Sequence, residues 1–151
     1  MAQGAWAWLA LAPLWLAGCD RQVRVFIDLP TPRVERVIEL REYVGSCPVG
    51  TETEPDAGRP RPITPDDPDV VALGTPRSVQ FIDVDMPMSR PLGVVREPRA
   101  LIAFGRDASC QVVSSACRTF RPGVSDEVVL GMNGHTAPGP GCAACADGVC
   151  Q

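Results

Sequence analysis

Seven cysteines, a single histidine and two groups of aspartates are the residues of this chain with chemistry to offer. Cys142 and Cys145 have C-x2-C spacing, with Cys150 close behind and His135 upstream. Read as a thiol-disulfide redox pair, Cys142-Ala143-Ala144-Cys145 needs a helix N-terminus or a nearby cation to stabilise its thiolate. Its neighbours are Gly, Ala and Pro, and no βαβ pattern precedes it. Read as zinc ligands, His135, Cys142, Cys145 and Cys150 have the correct number and type. Outside the cytoplasm, however, oxidation competes for the thiolates. A structural disulfide knot asks only for an oxidising compartment, and it is the reading we favour.

Oxygen ligands and nucleophiles are weaker candidates. Asp66, Asp67 and Asp69, or Asp83 and Asp85 on one face of a strand, have the hard oxygens that calcium prefers. No glycine stands where an EF-hand loop turns, and Pro65 and Pro68 make the first group a solvated turn. Nucleophilic catalysis requires His135 as base to a serine such as Ser114, Ser115 or Ser125. That histidine lies in a Gly/Pro-rich tail, and the chain has no G-x-S-x-G elbow. The expectation is a protein that is not an enzyme, with no resident metal or cofactor. A zinc- or calcium-binding module is the rival reading.

The remaining cysteine has a different setting. Leu16-Ala17-Gly18-Cys19 closes an apolar run, and residues 5–17 carry no charge. The run has the length of a signal-peptide core and is short for a permanent transmembrane helix. Small residues before the cysteine form a lipobox, so Cys19 is expected to carry lipid after removal of 1–18. Two details are off pattern: no Lys or Arg precedes the run, and Pro13 interrupts it. Assigning Cys19 to lipid leaves an even set, Cys47, Cys110, Cys117, Cys142, Cys145 and Cys150, suited to disulfides beyond the membrane. Spacing does not choose among their possible pairings.

Composition narrows the partners. The net charge is −4, so nucleic acid is not an expected partner; that all 14 basic residues are arginine is read as codon bias. Trp6, Trp8 and Trp15 all fall in the removed segment. Phe26, Tyr43, Phe81, Phe104 and Phe120 remain, too few for a stacking platform.

The elements that must hold these residues are read from periodicity. Val23, Val25, Ile27 and Leu29 alternate with Arg24, Phe26 and Asp28, the signature of a half-buried strand ended by Pro30 and Pro32. Segment 33–44 is compatible with helix or strand, and its β-branched content favours strand. Further strands are expected at 78–84, 92–96, 100–104, 110–113 and 127–130, with a turn over 105–109. Segment 46–77 is rich in proline and acidic residues and is expected to be a long exposed loop. Together these predict an all-β fold, an antiparallel β-sandwich over 19–131 followed by a Gly/Pro/Cys-rich tail over 132–151.

On the lipobox, the 23–29 strand, Cys47-Pro48, Arg106-Asp107-Ala108-Ser109-Cys110 with Cys117, and Cys145-Ala146-Asp147-Gly148-Val149-Cys150, the chain resembles small cysteine-containing bacterial lipoproteins. Their domain is a transthyretin-like or carboxypeptidase-regulatory-like β-sandwich. The resemblance implies a palmitate-bearing anchor in the cell envelope, facing the periplasm or the cell surface, with the bilayer and an envelope protein as partners. It implies no chemistry. Such tails usually carry an even set of cysteines, whereas this one has three, so one of Cys142, Cys145 and Cys150 is expected to pair with the sandwich.

Overall fold

The structure is a computed structural model that describes residues 22–53 and 58–151. The lipobox expected at 16–19 lies outside them. Regular structure in the described chain is almost entirely strand: β1 (Val23–Asp28), β2 (Val37–Val44), β3 (Ser78–Asp83), β4 (Ser89–Gly93), β5 (Arg99–Arg106), β6 (Val112–Phe120), β7 (Glu127–Gly131) and the short β8 (Asn133–Gly134), β9 (Cys145–Ala146) and β10 (Val149–Cys150). One short helix, α1 (Pro68–Val71), interrupts them.

Two sheets pack face to face as a β-sandwich. The larger is antiparallel throughout, in the order β3-β2-β5-β6-β8. The smaller has the order β4-β1-β7; β1 is antiparallel to β4 and parallel to β7. The alternation read in 23–29 is the burial pattern of β1, with Val23, Val25 and Ile27 facing inward. They meet Ile38, Leu40, Ile82, Leu101, Ala103, Ala116 and Phe120 of the larger sheet. Segment 33–44, favoured as a strand, contains β2, whereas 110–113 is only the beginning of a strand that runs to Phe120.

Segment 46–77, expected as an exposed loop, is a loop with much exposed surface, but it also sends side chains inward. Thr51, Ile63 and Val70 are buried, and Ile63 and Val70 join Tyr43, Ala100, Ile102, Phe104, Val112 and Cys117 in a second apolar cluster. The segment therefore roofs the outer face of the larger sheet. Its helix starts on Asp67, whose Oδ1 accepts the Asp69 N–H at 3.0 Å, with proline at the first helical position. Thr53 N–H donates to the Cys117 carbonyl at 2.8 Å, and Ile63 N–H donates to Ser115 Oγ at 3.1 Å. These bonds satisfy backbone groups that would otherwise be stranded above the sheet.

Gly105 on β5 permits one close approach. A Cβ there would overlap Ser114 Oγ and Glu35 Cγ. These two buried side chains share a hydrogen bond, in which Ser114 Oγ donates to Glu35 Oε1 at 2.6 Å. Gly105→Ala is expected to cost about 1–3 kcal/mol through overpacking. Urea denaturation checks this; a loss below about 0.5 kcal/mol would mean that the strands shift freely to admit the methyl.

Candidate functional site

All six described cysteines are paired: Cys47–Cys117, Cys110–Cys145 and Cys142–Cys150. The first ties the roofing segment to β6. Cys145 is the tail cysteine that joins the sandwich. Cys142 and Cys145 are each bonded elsewhere, so the C-x2-C pair does not form a disulfide of its own. The two tail-end disulfides are neighbours: the sulfurs of Cys110, Cys142 and Cys150 all lie within 4.8 Å of one another.

Local sequence explains how this cluster is held. β9 and β10 pair with Cys150 opposite Cys145, around a turn in which Asp147 (φ 49°) and Gly148 (φ 88°) both take positive φ. An Asp-Gly pair suits such a two-residue hairpin turn. Cys110 also has positive φ (61°) and closes a turn in which Asp107 Oδ1 accepts the N–H groups of Ser109 and Gln111, each at 2.9 Å. A Cβ on Gly148 would lie 3.0 Å from Val37 Cγ2 and 3.3 Å from the Asp107 carbonyl oxygen. Arg36 Nε reaches Asp147 Oδ1 at 3.4 Å. The hairpin is thus seated against the end of the sandwich by packing and charge as well as by sulfur.

His135 does not join the sulfur cluster of Cys110, Cys142 and Cys150; the Cys110 sulfur is there instead. The His135 Nε2 atom lies 2.8 Å from Ser115 Oγ. Of the three serines weighed as nucleophiles, Ser115 is the one the fold brings to the histidine. Ser114 bonds Glu35, and Ser125 caps the start of β7 through the Glu127 N–H and carbonyl. Ser115 is buried, its oxygen accepts the Ile63 N–H, and neither it nor His135 lines a described groove. The contact fastens the roof and the tail to β6.

Burial pushes the His135 pKa below its ordinary 6.5, nearby Arg59 adds to the fall, and a hydrogen bond with the Val112 backbone opposes it. The folded chain therefore binds this proton less readily than the unfolded chain. Stability from the neutral ring is present above 6.5 and declines as pH falls through 6.5 towards the lower folded value. His135→Gln is expected to flatten that part of the melting temperature profile; an unchanged slope would remove His135 as its cause.

The aspartates hold structure through arginine and backbone partners. Asp69 pairs with Arg61 at 2.7 Å, and Asp67 also bonds that guanidinium. Asp66 accepts from Thr64 Oγ1 at 2.6 Å. Asp85 pairs with Arg36 at 3.2 Å, and Asp83 Oδ1 accepts the Asp85 N–H. Two open grooves meet at the 121–126 turn and share Phe120, Val124 and Ser125. The larger, about 750 Å³, runs between β6 and β7 and is lined by Thr53, Arg118, Arg121 and Val129 among others. Nothing in the periodicity of the sequence marks this groove, since its lining joins 52–53 to 118–131 across the fold. No family model, curated protein or solved structure matches the chain.

Proposed function

We propose that the mature chain is an exported lipoprotein, anchored by acyl chains on Cys19, with a non-catalytic binding or structural role in the cell envelope. The cysteine pairing carries this reading. Six of seven cysteines are consumed in three disulfides, which suits an oxidising compartment and leaves the odd one at the lipobox. Diacylglycerol plus an N-acyl chain gives more than one hydrocarbon anchor, enough for stable attachment.

The anchor orients the domain. Only Asp20, Arg21 and Gln22 separate Cys19 from β1. Three extended residues span at most about 11 Å, so the end of the sandwich where β1 starts lies near the headgroups. That end carries exposed Arg24, Arg96, Arg121, Val94 and Val124. The disulfide-bonded hairpin sits at the opposite end, beyond a β5 strand of eight residues, about 26 Å in length. An envelope partner approaching from solvent meets the hairpin first.

The test is acyl-chain mass on the N-terminal peptide of native protein, together with fractionation of a Cys19→Ser variant. The expected variant is an unprocessed precursor without acyl mass. A variant processed like the wild type would sink the proposal.

A further inference from the structure

We propose that Cys110, Cys142, Cys145 and Cys150 form a four-thiolate site for one zinc ion when their two disulfides are reduced. Cys110, Cys142 and Cys150 hold their sulfurs within 4.8 Å of one another, and the Cys145 sulfur is bonded to that of Cys110. In tetrahedral Zn–S4 coordination, with Zn–S near 2.3 Å, the sulfurs stand about 3.8 Å apart. The Cys110 sulfur is therefore already near the separation from Cys142 and Cys150 that the ion requires, whereas the Cys145 sulfur lies outside that group of three and must swing in as its bond to Cys110 opens. Within each pair, side-chain rotation opens the former bond.

The frame that holds the sulfurs does not depend wholly on the disulfides. The β9-β10 pairing sets Cys145 opposite Cys150, and Gln151 N–H donates to the Ala144 carbonyl at 3.1 Å. Gly148 packs against Val37 and the Asp107 carbonyl, and Arg36 pairs with Asp147. Cys110 is fully buried in its own hydrogen-bonded turn. Its carbonyl accepts from Arg106 Nη1 at 2.9 Å. The hairpin and this turn thus stay beside each other when the sulfur–sulfur bonds open. Preorganisation of this kind lowers the ordering cost of binding. Cys142 and Cys145, with two residues between them, supply the knuckle spacing common in structural zinc sites, and Cys110 takes the place that spacing alone would have given to His135.

A dithiol reductant delivers two electrons and two protons to each disulfide, giving four thiols and two oxidised reductant molecules. Zinc then binds as the four thiols release four protons, leaving a site of net charge −2. A disulfide oxidant reverses the process: each thiolate pair loses two electrons, two disulfides re-form, and the ion leaves. In the reduced chain the ion, rather than sulfur–sulfur bonds, pins the tail to the sandwich.

The test uses the complete mature chain, reduced without oxygen and freed of reductant, and does not depend on membrane attachment. One equivalent of zinc is added, thiols are alkylated, and modification at each cysteine is read by peptide mass. Zinc is expected to protect Cys110, Cys142, Cys145 and Cys150 while Cys47 and Cys117 react. Equal reaction at all six, or equal protection of all six, overturns the proposal. Cobalt gives a second readout: one equivalent should produce the strong visible bands and sulfur charge-transfer absorption of tetrahedral thiolate coordination. Octahedral-type weak bands would overturn it. In the Cys110→Ser variant, zinc affinity should fall by more than roughly tenfold as one ligand bond is lost. Unchanged affinity would also overturn it, whereas loss of acylation at Cys19 would bear only on the anchoring proposal.

Discussion

Glu39→Ala is expected to lower folding stability by about 3–5 kcal/mol, the cost of breaking a buried ion pair by removing one partner. Glu39 lies on β2, facing the covered side of the larger sheet, with its side chain 4% exposed. One carboxylate oxygen pairs with Arg106 Nη2 at 2.7 Å and accepts from Arg106 Nε at 2.9 Å. The other accepts from Arg41 Nε at 2.6 Å. The Arg106 side chain is 5% exposed and that of Arg41 21%. Removing the carboxylate leaves two guanidinium groups together in a poorly hydrated layer. Removing Arg106 leaves Glu39 still paired with Arg41, so Arg106→Met should cost less than Glu39→Ala. Chemical denaturation of both variants checks the order. If Glu39→Ala costs under about 1 kcal/mol, or the order is reversed, water reaches this layer and the roof is looser than described.

The second large effect is expected at Cys47–Cys117. This disulfide closes a sequence separation of 70 residues, and chain-entropy accounting assigns it roughly 4 kcal/mol. The Cys47→Ala/Cys117→Ala double variant removes it without leaving a free thiol. Global stability should fall by about that amount, a large share of the total for a small domain. The effect should also be uneven. The bond anchors the start of the roofing segment, while Ile63 and Val70 hold its later part by apolar burial. Amide exchange should accelerate over 47–53 before the central strands β2 and β5 respond. A stability loss below about 1 kcal/mol would mean that the unfolded chain gains little freedom when the bond is removed.

Both effects arise on the outer face of the larger sheet, the side that segment 46–77 helps to cover. Pro and acidic residues in 46–77 suggested solvent exposure, yet a signal against that lay elsewhere in the chain. Ala100-Leu101-Ile102-Ala103-Phe104 is apolar without alternation, the mark of a strand covered on both faces. Something had to cover the second face, and 46–77 is the segment that does. The end of β6 was hidden for a different reason. Ser114 and Ser115 look like turn residues, but their hydroxyls are satisfied in the interior by Glu35, Ile63 and His135. Periodicity registers polarity and cannot register that a partner is waiting across the sheet.

The candidate sites divide in the same way. Spacing made Cys142, Cys145 and Cys150 visible, because they are close in the chain. It could not reveal Cys110 beside them, because that approach depends on the register that brings the 107–110 turn against the tail hairpin. Nor could it select Ser115 over Ser114 and Ser125, since adjacent strand residues point to opposite faces and only the strand's placement says which face holds His135.

By itself, the sequence determined the all-β class, most of the strands, and an even set of six cysteines once Cys19 is set apart. These follow from local rules: alternation over a few residues, turn-forming residues between runs, and the parity of a count. The tertiary structure alone decided which cysteines pair, which sheet is roofed, and where the Cys110, Cys142 and Cys150 sulfurs gather. Those features join residues tens of positions apart, and only strand order and register fix such distances.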